Sequence, residues 1–265
     1  MMSGTHTARV RRIDRTVYGK PSHYYMDEAG DRLPGVTTVL SKGIPKPALV
    51  NWAANTTAAY AVDRWNELAD LPLSERLERL KKARYAVNDE AKQRGTDIHA
   101  AAEVVVHGTP LKVAADIQPH VEHLVDLLDR YDIRPVLVER TVYTLEPRYA
   151  RRAGTLDLVF RFGEDGPLCL GDIKSGKGVY PETACQLAAY KFADFYVDDG
   201  GNERPMPFVS DCYVLHVRSD GADLIPIEAG EAQLKVWQYA AVVAQFLDTG
   251  RDLIGAPVES PEAVA

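Results

Sequence analysis

Two carboxylates and a lysine lie on neighbouring apolar segments of this chain. Asp157 lies within one such segment, and Asp172 and Lys174 end the next one, LCLGDIK. Because side chains alternate between the two faces of a strand, Asp172 and Lys174 point the same way if LCLGDIK is extended. Pairing of the two segments as a hairpin would bring Asp157 to the same place. Such a group could bind a hard divalent cation, with the lysine orienting an attacking water or neutralising charge on a phosphate.

A surface hairpin is the simpler interpretation of this pattern, with Asp172 and Lys174 as a solvent-exposed ion pair. The apolar character of LCLGDIK favours a site, because a charged pair that ends such a strand costs desolvation free energy unless it binds something. The segment 171–178, GDIKSGKG, also matches part of the phosphate-binding P-loop pattern. Gly178 stands where that loop needs Ser or Thr for magnesium, so we expect no nucleotide cofactor.

Several further polar residues have spacings that would let them join such a site. His99 and Glu103 are one helical turn apart, although a lone helical histidine is more often structural. Glu139 lies within a predicted strand, either at an exposed edge or facing the site. Gln186 and Tyr190 share one helix face, which is either an amphipathic surface or a source of hydrogen bonds to a phosphate or to the lysine.

Arginines precede the segment that carries Asp157. Arg148, Arg151 and Arg152 are candidates for holding a nucleic-acid backbone, or they belong to a solvated loop. The 265-residue chain has 31 Lys and Arg against 38 Asp and Glu, a net charge of −7. This balance argues against a protein coated for non-specific nucleic-acid binding, but it leaves room for a local basic groove.

Hydrophobic periodicity predicts the elements that would position these residues. The first half is mainly helical, with short extended pieces at 24–26 and 33–40 and helices over about 47–69, 74–106 and 119–131. The apolar residues expected in the core from the first of these helices are Leu49, Trp52, Ala53, Tyr60 and Trp65. Strands are predicted over 136–145, 153–162, 168–174, 208–218 and 223–228, with helices over 181–196 and 231–250. This order predicts an α+β fold with a mixed sheet flanked by helices.

The domain organisation follows from the same patterns. We expect a basic, flexible arm over residues 1–20, with Arg9, Arg11, Arg12 and Arg15, and a disordered tail over 255–265. Between them, residues 21–254 are expected to form one domain. Its mainly helical part covers 21–134, and its sheet core, with the candidate site, covers 135–254.

Localisation and redox state follow from what the sequence lacks. The first residues have no apolar segment typical of a secretory signal, and no run of about 18 apolar residues is present, so we expect a cytoplasmic protein without a membrane span. The cysteines, Cys169, Cys185 and Cys212, are scattered and form no CxxC pair. Reduced thiols are therefore expected rather than a zinc ribbon or a disulfide framework.

Taken together, these motifs resemble the PD-(D/E)XK nuclease superfamily, and within it the RecB-like exonuclease group. The resemblance covers roughly residues 35–217, and the opening GVTTVLSKGIPKPALVNWAA is similar to phage-encoded members. Leu156 takes the place of the proline in the superfamily's name, as the RecB-like form allows. The matching segments, with their motif residues, are RGTDIHAAAE with His99, AGTLDLVF with Asp157, LGDIKSGKG with Asp172 and Lys174, and QLAAY with Gln186 and Tyr190.

The resemblance implies a restriction-endonuclease-like fold and a deoxyribonuclease that depends on Mg²⁺ or Mn²⁺. It implies an exonuclease more readily than an endonuclease, acting in DNA recombination, repair or phage DNA processing. The metal ligands that it implies are His99, Asp157, Asp172 and the main-chain carbonyl of Ile173. Lys174 would position the nucleophilic water, and Gln186 and Tyr190 would support Lys174 and the DNA strand.

Other residues take supporting roles in this interpretation. Glu103 and Glu139 are expected to support the site, and the residues expected to contact DNA are Arg148, Arg151, Arg152 and Lys177. Some relatives carry an iron–sulfur cluster on four cysteines, and with three scattered cysteines this chain is expected to lack one. No helicase motif is present, so a helicase, recombinase or single-strand-binding partner would be a separate chain in a bacterial or phage-infected cell.

Two rival functions remain open from the sequence. One is a structure-specific or restriction-type endonuclease, which would cut a closed circle. The other is a non-catalytic nucleic-acid-binding module on a nuclease fold. The presence of Asp157, Asp172 and Lys174 counts against the second, since a decayed site usually loses one of its residues.

Overall fold

The computed structural model describes residues 8–17, 19–108, 113–147 and 150–258, apart from the side chains of Lys20 and of residues 86–92. The strands are β1 Val10–Val17, β2 Lys20–Asp27, β3 Arg32–Leu33, β4 Ile133–Thr144, β5 Arg152–Phe162, β6 Cys169–Lys174, β7 Phe195–Val197, β8 Glu203–Pro205, β9 Asp211–Arg218 and β10 Gly221–Ile227. The helices are α1 Val36–Gly43, α2 Pro47–Asp63, α3 Trp65–Ala69, α4 Leu73–Val106, α5 Gln118–Arg130, α6 Glu182–Lys191 and α7 Glu231–Thr249, and a short 3₁₀ turn follows at Gly250–Leu253.

A seven-stranded mixed sheet organises the chain, in the order β10-β9-β6-β5-β4-β7-β8. Its neighbours are antiparallel except β6 and β9, which run parallel. Helices pack on the sheet through two apolar clusters. One joins the sheet to α1, α6 and α7 around Trp237, and the other joins it to α4 and α5 around Leu127. The predicted α+β class, with a mixed sheet flanked by helices, is confirmed.

The pairing of β5 with β6 fixes the geometry of the candidate site. Leu158 pairs with Gly171 and Val159 pairs with Leu170 in an antiparallel register. Extending that register by one residue sets Asp157 opposite Asp172. Since residues that face each other across antiparallel strands share one face, both carboxylates lie on the same side of the sheet. The predicted hairpin is therefore confirmed.

The start of the chain departs from the prediction of a basic arm over residues 1–20. Residues 1–7 lie outside the described residues, but Val10–Val17 form strand β1, which pairs with β2 in a second, three-stranded sheet. This sheet packs on the main sheet through an apolar face, which the many basic residues of the segment made hard to recognise in the sequence. Val10, Tyr25 and Leu33 pack against Tyr143 of the main sheet.

Two other helical segments also differ from the prediction. Residues 36–43, which overlap the stretch 33–40 expected to be extended, form helix α1, because Val36, Val39 and Leu40 have helical spacing and are buried against the core. The helix expected to reach residue 196 ends at Lys191, and the chain continues into β7.

The prediction that one face of α2 packs in the core is wrong. Leu49 is 55% exposed, Trp65 at the start of α3 is 68% exposed, and no residue of α2 is buried. Helix α2 packs against α4 and lies away from the sheet, so its apolar residues have too few neighbours to cover them. Within the described ranges, no helix is both long and apolar enough to cross a lipid bilayer.

Candidate metal centre

The carboxylates of Asp157 and Asp172 have different environments within one site. Oδ2 of Asp157 accepts a hydrogen bond of 2.7 Å from the main-chain amide of Ile173. Asp172 is only 2% exposed, and its Oδ1 accepts a hydrogen bond of 2.6 Å from Nε2 of Gln186. One oxygen of each carboxylate is thus held by a neutral donor, which fixes the orientation of both groups.

Lys174 completes a three-residue contact at the end of β6. Its Nζ lies 2.7 Å from Oδ2 of Asp172, and it donates a longer hydrogen bond of 3.4 Å to Oε1 of Gln186. The contact with Oδ2 is an ion pair without hydrogen-bond geometry, so this buried oxygen accepts no hydrogen bond from the described residues. Gln186 therefore links Asp172 and Lys174 through one amide group.

Burial and proximity change the proton affinity of these groups. Burial raises the pKa of Asp172, and the nearby Asp157 raises it further, while Lys174 opposes the shift. Burial alone would lower the pKa of Lys174, but Asp172 and Asp157 outweigh it and raise the pKa above its usual value. Lys174 is therefore a stable cation whose charge compensates the two carboxylates.

His99 and Glu139 approach the same point from other elements. Nδ1 of His99, on α4, lies 3.6 Å from Oδ2 of Asp157. Ligand atoms of His99, Glu139 and Asp157 all lie within 4.8 Å of one another. Residues from α4, β4 and β5 thus converge beside Asp172.

Glu139 has two unusual properties for a strand residue. Its φ of 49° is in the left-handed region, which is unfavourable for a residue with a side chain and is unusual inside a strand. Burial, with repulsion from Asp157 and Glu103, raises its pKa to about 8. A cation beside this carboxylate would relieve both the repulsion and the cost of burial.

Tyr190 is buried one helical turn after Gln186 and packs against the backbone of β5 at Gly154. A Cβ added at Gly154 would lie 2.4 Å from Cε1 of Tyr190, so only glycine fits there. Burial raises the pKa of the tyrosine hydroxyl far above its usual value. No hydrogen bond joins this hydroxyl to Lys174 among the described residues, so of the two predicted supports only Gln186 contacts the lysine.

Two residues near the site had no functional signal in the sequence. Nε2 of His216, on β9, lies 2.8 Å from the carbonyl oxygen of Gly176 and so tethers the glycine-rich loop after Lys174. The hydroxyl of Tyr25 lies 2.9 Å from that of Thr155, two residues before Asp157. His216 lies beside Lys174 through the parallel pairing of β6 with β9, which local sequence patterns do not show. Tyr25 reaches the site because β1 to β3 form a sheet.

The residues predicted to contact DNA have different outcomes. Arg152 is 2% exposed and donates to the carbonyl oxygens of Ala150, Ala189 and Phe192, so the prediction that it holds DNA is wrong. Its place at the start of a buried strand gives the guanidinium main-chain partners instead. Arg151 lines the cleft and pairs with Asp27, Lys177 is exposed in the glycine-rich loop, and Arg148 lies outside the described residues.

The remaining predicted residues flank the centre. Glu103 is exposed on α4 and contributes through its charge, which raises the pKa of Glu139. Ile173 contacts Asp157 through its amide, and its side chain is buried in the cluster around Leu127. The role of the Ile173 carbonyl as a metal ligand stays a prediction.

A cleft of about 1390 Å³ runs past the centre. Its lining includes His99, Asp157, Asp172, Lys174, Gln186 and Tyr190. It continues between α1 and α7 on one side and the three-stranded sheet on the other. The centre is therefore open to an extended ligand rather than closed around a small molecule.

The donor set fits a hard divalent cation. Two carboxylates and one imidazole converge, those of Glu139, Asp157 and His99. The carboxylate of Asp172 lies beside them, with its buried Oδ2 ion-paired to Lys174 and without a hydrogen bond from the described residues. Oxygen-rich ligand sets with one imidazole suit Mg²⁺ and Mn²⁺, and the group found among the described residues contains no thiol that would favour a softer metal.

Comparison with known proteins gives no indication of function. No family model matches the chain, and no curated protein matches it. A solved structure described as the crystal structure of SSO0001 is similar at 12% identity and a TM-score of 0.31, over 84% of this chain and 76% of that one. A likeness at this level carries no argument about activity.

Proposed function

We propose that this chain is a divalent-metal-dependent nuclease that hydrolyses phosphodiester bonds in DNA. The observation that carries the proposal is the convergence of Asp157, Asp172 and Lys174 at the end of one β-hairpin, with Nδ1 of His99 3.6 Å from Asp157. Charged groups are costly to bury, and their concentration in an open cleft favours a catalytic site over a structural ion pair. The motif resemblance to RecB-like exonucleases points to the same activity.

His99, Asp157 and Asp172, with Glu139, would hold Mg²⁺ or Mn²⁺ in this site. When bound, the metal would polarise the phosphate and lower the pKa of a coordinated water. The ammonium of Lys174 would orient the attacking water and stabilise negative charge on the phosphate in the transition state. Gln186 holds this ammonium and Oδ1 of Asp172 at a fixed separation, which keeps the two groups aligned before substrate binds.

The cleft favours a polymer as the substrate. Its lining includes residues of several other elements besides the carboxylates, and three of them are arginines, Arg15, Arg32 and Arg151, which suit a nucleic-acid backbone. An exonuclease and a structure-specific or restriction-type endonuclease share this chemistry. They differ in substrate, because an exonuclease needs a DNA end and an endonuclease can cut a closed circle. A non-catalytic DNA-binding module would not need the ion pair of Lys174 with a buried carboxylate.

The proposal is tested by incubating the protein with end-labelled linear DNA and with closed circular DNA, in Mg²⁺, Mn²⁺ or EDTA. We expect metal-dependent cleavage of the linear DNA, and loss of cleavage by at least about 10²-fold in Asp172→Asn and Lys174→Ala. Cutting of the circle would identify an endonuclease. Binding of DNA without any product in either metal would favour the non-catalytic module.

A further inference from the structure

The three-stranded sheet forms a wall of the cleft beyond the metal centre. Arg15, Tyr24 and Arg32 line the same cleft as Asp157 and Asp172. Strand pairing brings the three residues together, since Arg15 is opposite Ser22 and Arg32 is opposite Met26, each two residues from Tyr24. A chain molecule that extends from the metal centre along the cleft would meet this wall.

Two guanidinium groups pack against one aromatic ring on the wall. Cζ of Arg32 lies 4.2 Å from the centroid of the Tyr24 ring, and Cζ of Arg15 lies 5.3 Å from it. Both distances are within the range of cation–π attraction. The ring therefore restrains two long side chains before a ligand binds, which reduces the conformational entropy lost on binding.

Among the residues that the structure describes, the positive charges of Arg15 and Arg32 have no carboxylate partner. The acidic residues in and next to the sheet pair with other arginines, Asp14 with Arg12, and Asp27 and Asp31 with Arg151. No carboxylate of the described residues lies within ion-pair distance of Arg15 or Arg32. Arg11 is exposed on the same face of β1 as Arg15 and adds a third positive charge. The wall is thus a local basic surface on a chain whose net charge is −7.

We infer that Arg15, Tyr24 and Arg32 form a subsite for the backbone phosphates of a single-stranded DNA segment that leads to the metal centre. The inference rests on the proposed function, and it adds the form of DNA that the cleft receives. Guanidinium groups bind phosphates through paired hydrogen bonds. Unpaired bases stack on tyrosine rings and on guanidinium planes, a contact that a duplex cannot offer.

The binding test uses a fluorescein-labelled single-stranded DNA of 20 nucleotides in EDTA, where cleavage is absent, and measures Kd by anisotropy. For Arg15→Ala/Arg32→Ala we expect about a tenfold rise in Kd and a slope of log Kd against log salt that is smaller by about 1.4, as for two lost phosphate contacts. The matched control is Arg79→Ala/Arg84→Ala on α4. It removes two arginines outside the cleft, including one that packs 4.6 Å from the Tyr85 ring, and should leave Kd within twofold.

A cleavage test separates this inference from the proposed function. In Mn²⁺ the Arg15→Ala/Arg32→Ala variant should raise KM for the single strand while kcat stays near that of the wild type. If the wild type binds DNA but never cleaves it, the proposed nuclease fails, while a selective loss of binding still supports the subsite. An unchanged Kd and salt slope, a loss confined to duplex DNA, or no binding by the wild type would each overturn the subsite.

Discussion

Gln186 donates a hydrogen bond of 2.6 Å to Oδ1 of Asp172 and thereby joins helix α6 to the end of strand β6. The same side-chain amide accepts a bond of 3.4 Å from Nζ of Lys174. Oδ2 of Asp172 forms the ion pair with Lys174, and both side chains line the cleft. This contact fixes the orientation of a carboxylate and an ammonium at once.

Replacing Gln186 by methionine, which has a similar volume, should remove both bonds and leave the core filled. We expect cleavage or metal affinity to fall by about 10- to 100-fold, as for other residues that orient metal ligands. Thermal unfolding would check that the fold is retained, with Thr183→Val, at a buried position of the same helix, as the control. Wild-type cleavage and metal affinity in Gln186→Met would contradict the positioning role.

Replacing Gly154 by alanine should displace Tyr190, because the new Cβ would lie 2.4 Å from the ring. We expect the free energy of unfolding to fall by about 1–3 kcal/mol, as for overpacking elsewhere in protein cores. Gly176→Ala is the matched control, since no atom lies within 4 Å of its added Cβ. Urea unfolding compares the two variants, and equal stabilities would refute the packing argument.

Glu139 should make the metal-free protein less stable as the pH rises. Its pKa is raised from 4.5 to about 8, so between these values the folded state holds a proton that the unfolded chain releases. The free energy of unfolding therefore falls with increasing pH across this window. Glu139→Gln cannot ionise, and its advantage over the wild type should grow with pH, by at most about 1.4 kcal/mol per unit.

This advantage is measured by urea unfolding in EDTA at several pH values from about 5 to about 8.5, a range that covers most of the window between the two pKa values. The control is Glu164→Gln, whose carboxylate is 77% exposed in the turn between β5 and β6. A constant difference between Glu139→Gln and the wild type at every pH would be inconsistent with the raised pKa. Added Mn²⁺ should stabilise the wild type more than Glu139→Gln.

The central residues could be predicted because their information is local. Period-two alternation sets Asp172 and Lys174 on one side of a strand, and the turn before β6 pairs that strand with the one that carries Asp157. The apolar stripes of α4 and α5 likewise indicated the helical part of the chain.

Other features depend on contacts between distant segments. The basic residues of β1 concealed the one buried position, Val10, that packs the three-stranded sheet on Tyr143. His216 reaches Gly176 through a parallel pairing over 40 residues. The sequence predicts that Arg152 contacts nucleic acid, but in the folded chain its guanidinium donates to the main-chain carbonyl of Ala189 in α6. Local periodicity contains no information about these partners.

The most direct test of the account is anomalous scattering from crystals soaked in Mn²⁺ at a concentration that supports DNA cleavage. We expect a manganese peak coordinated by His99, Asp157 and Asp172, beside Glu139. In Asp157→Asn, both this peak and the cleavage of DNA should be lost. Cleavage by crystals or solutions in which no manganese binds at these residues, or a peak there without any cleavage of DNA, would contradict it.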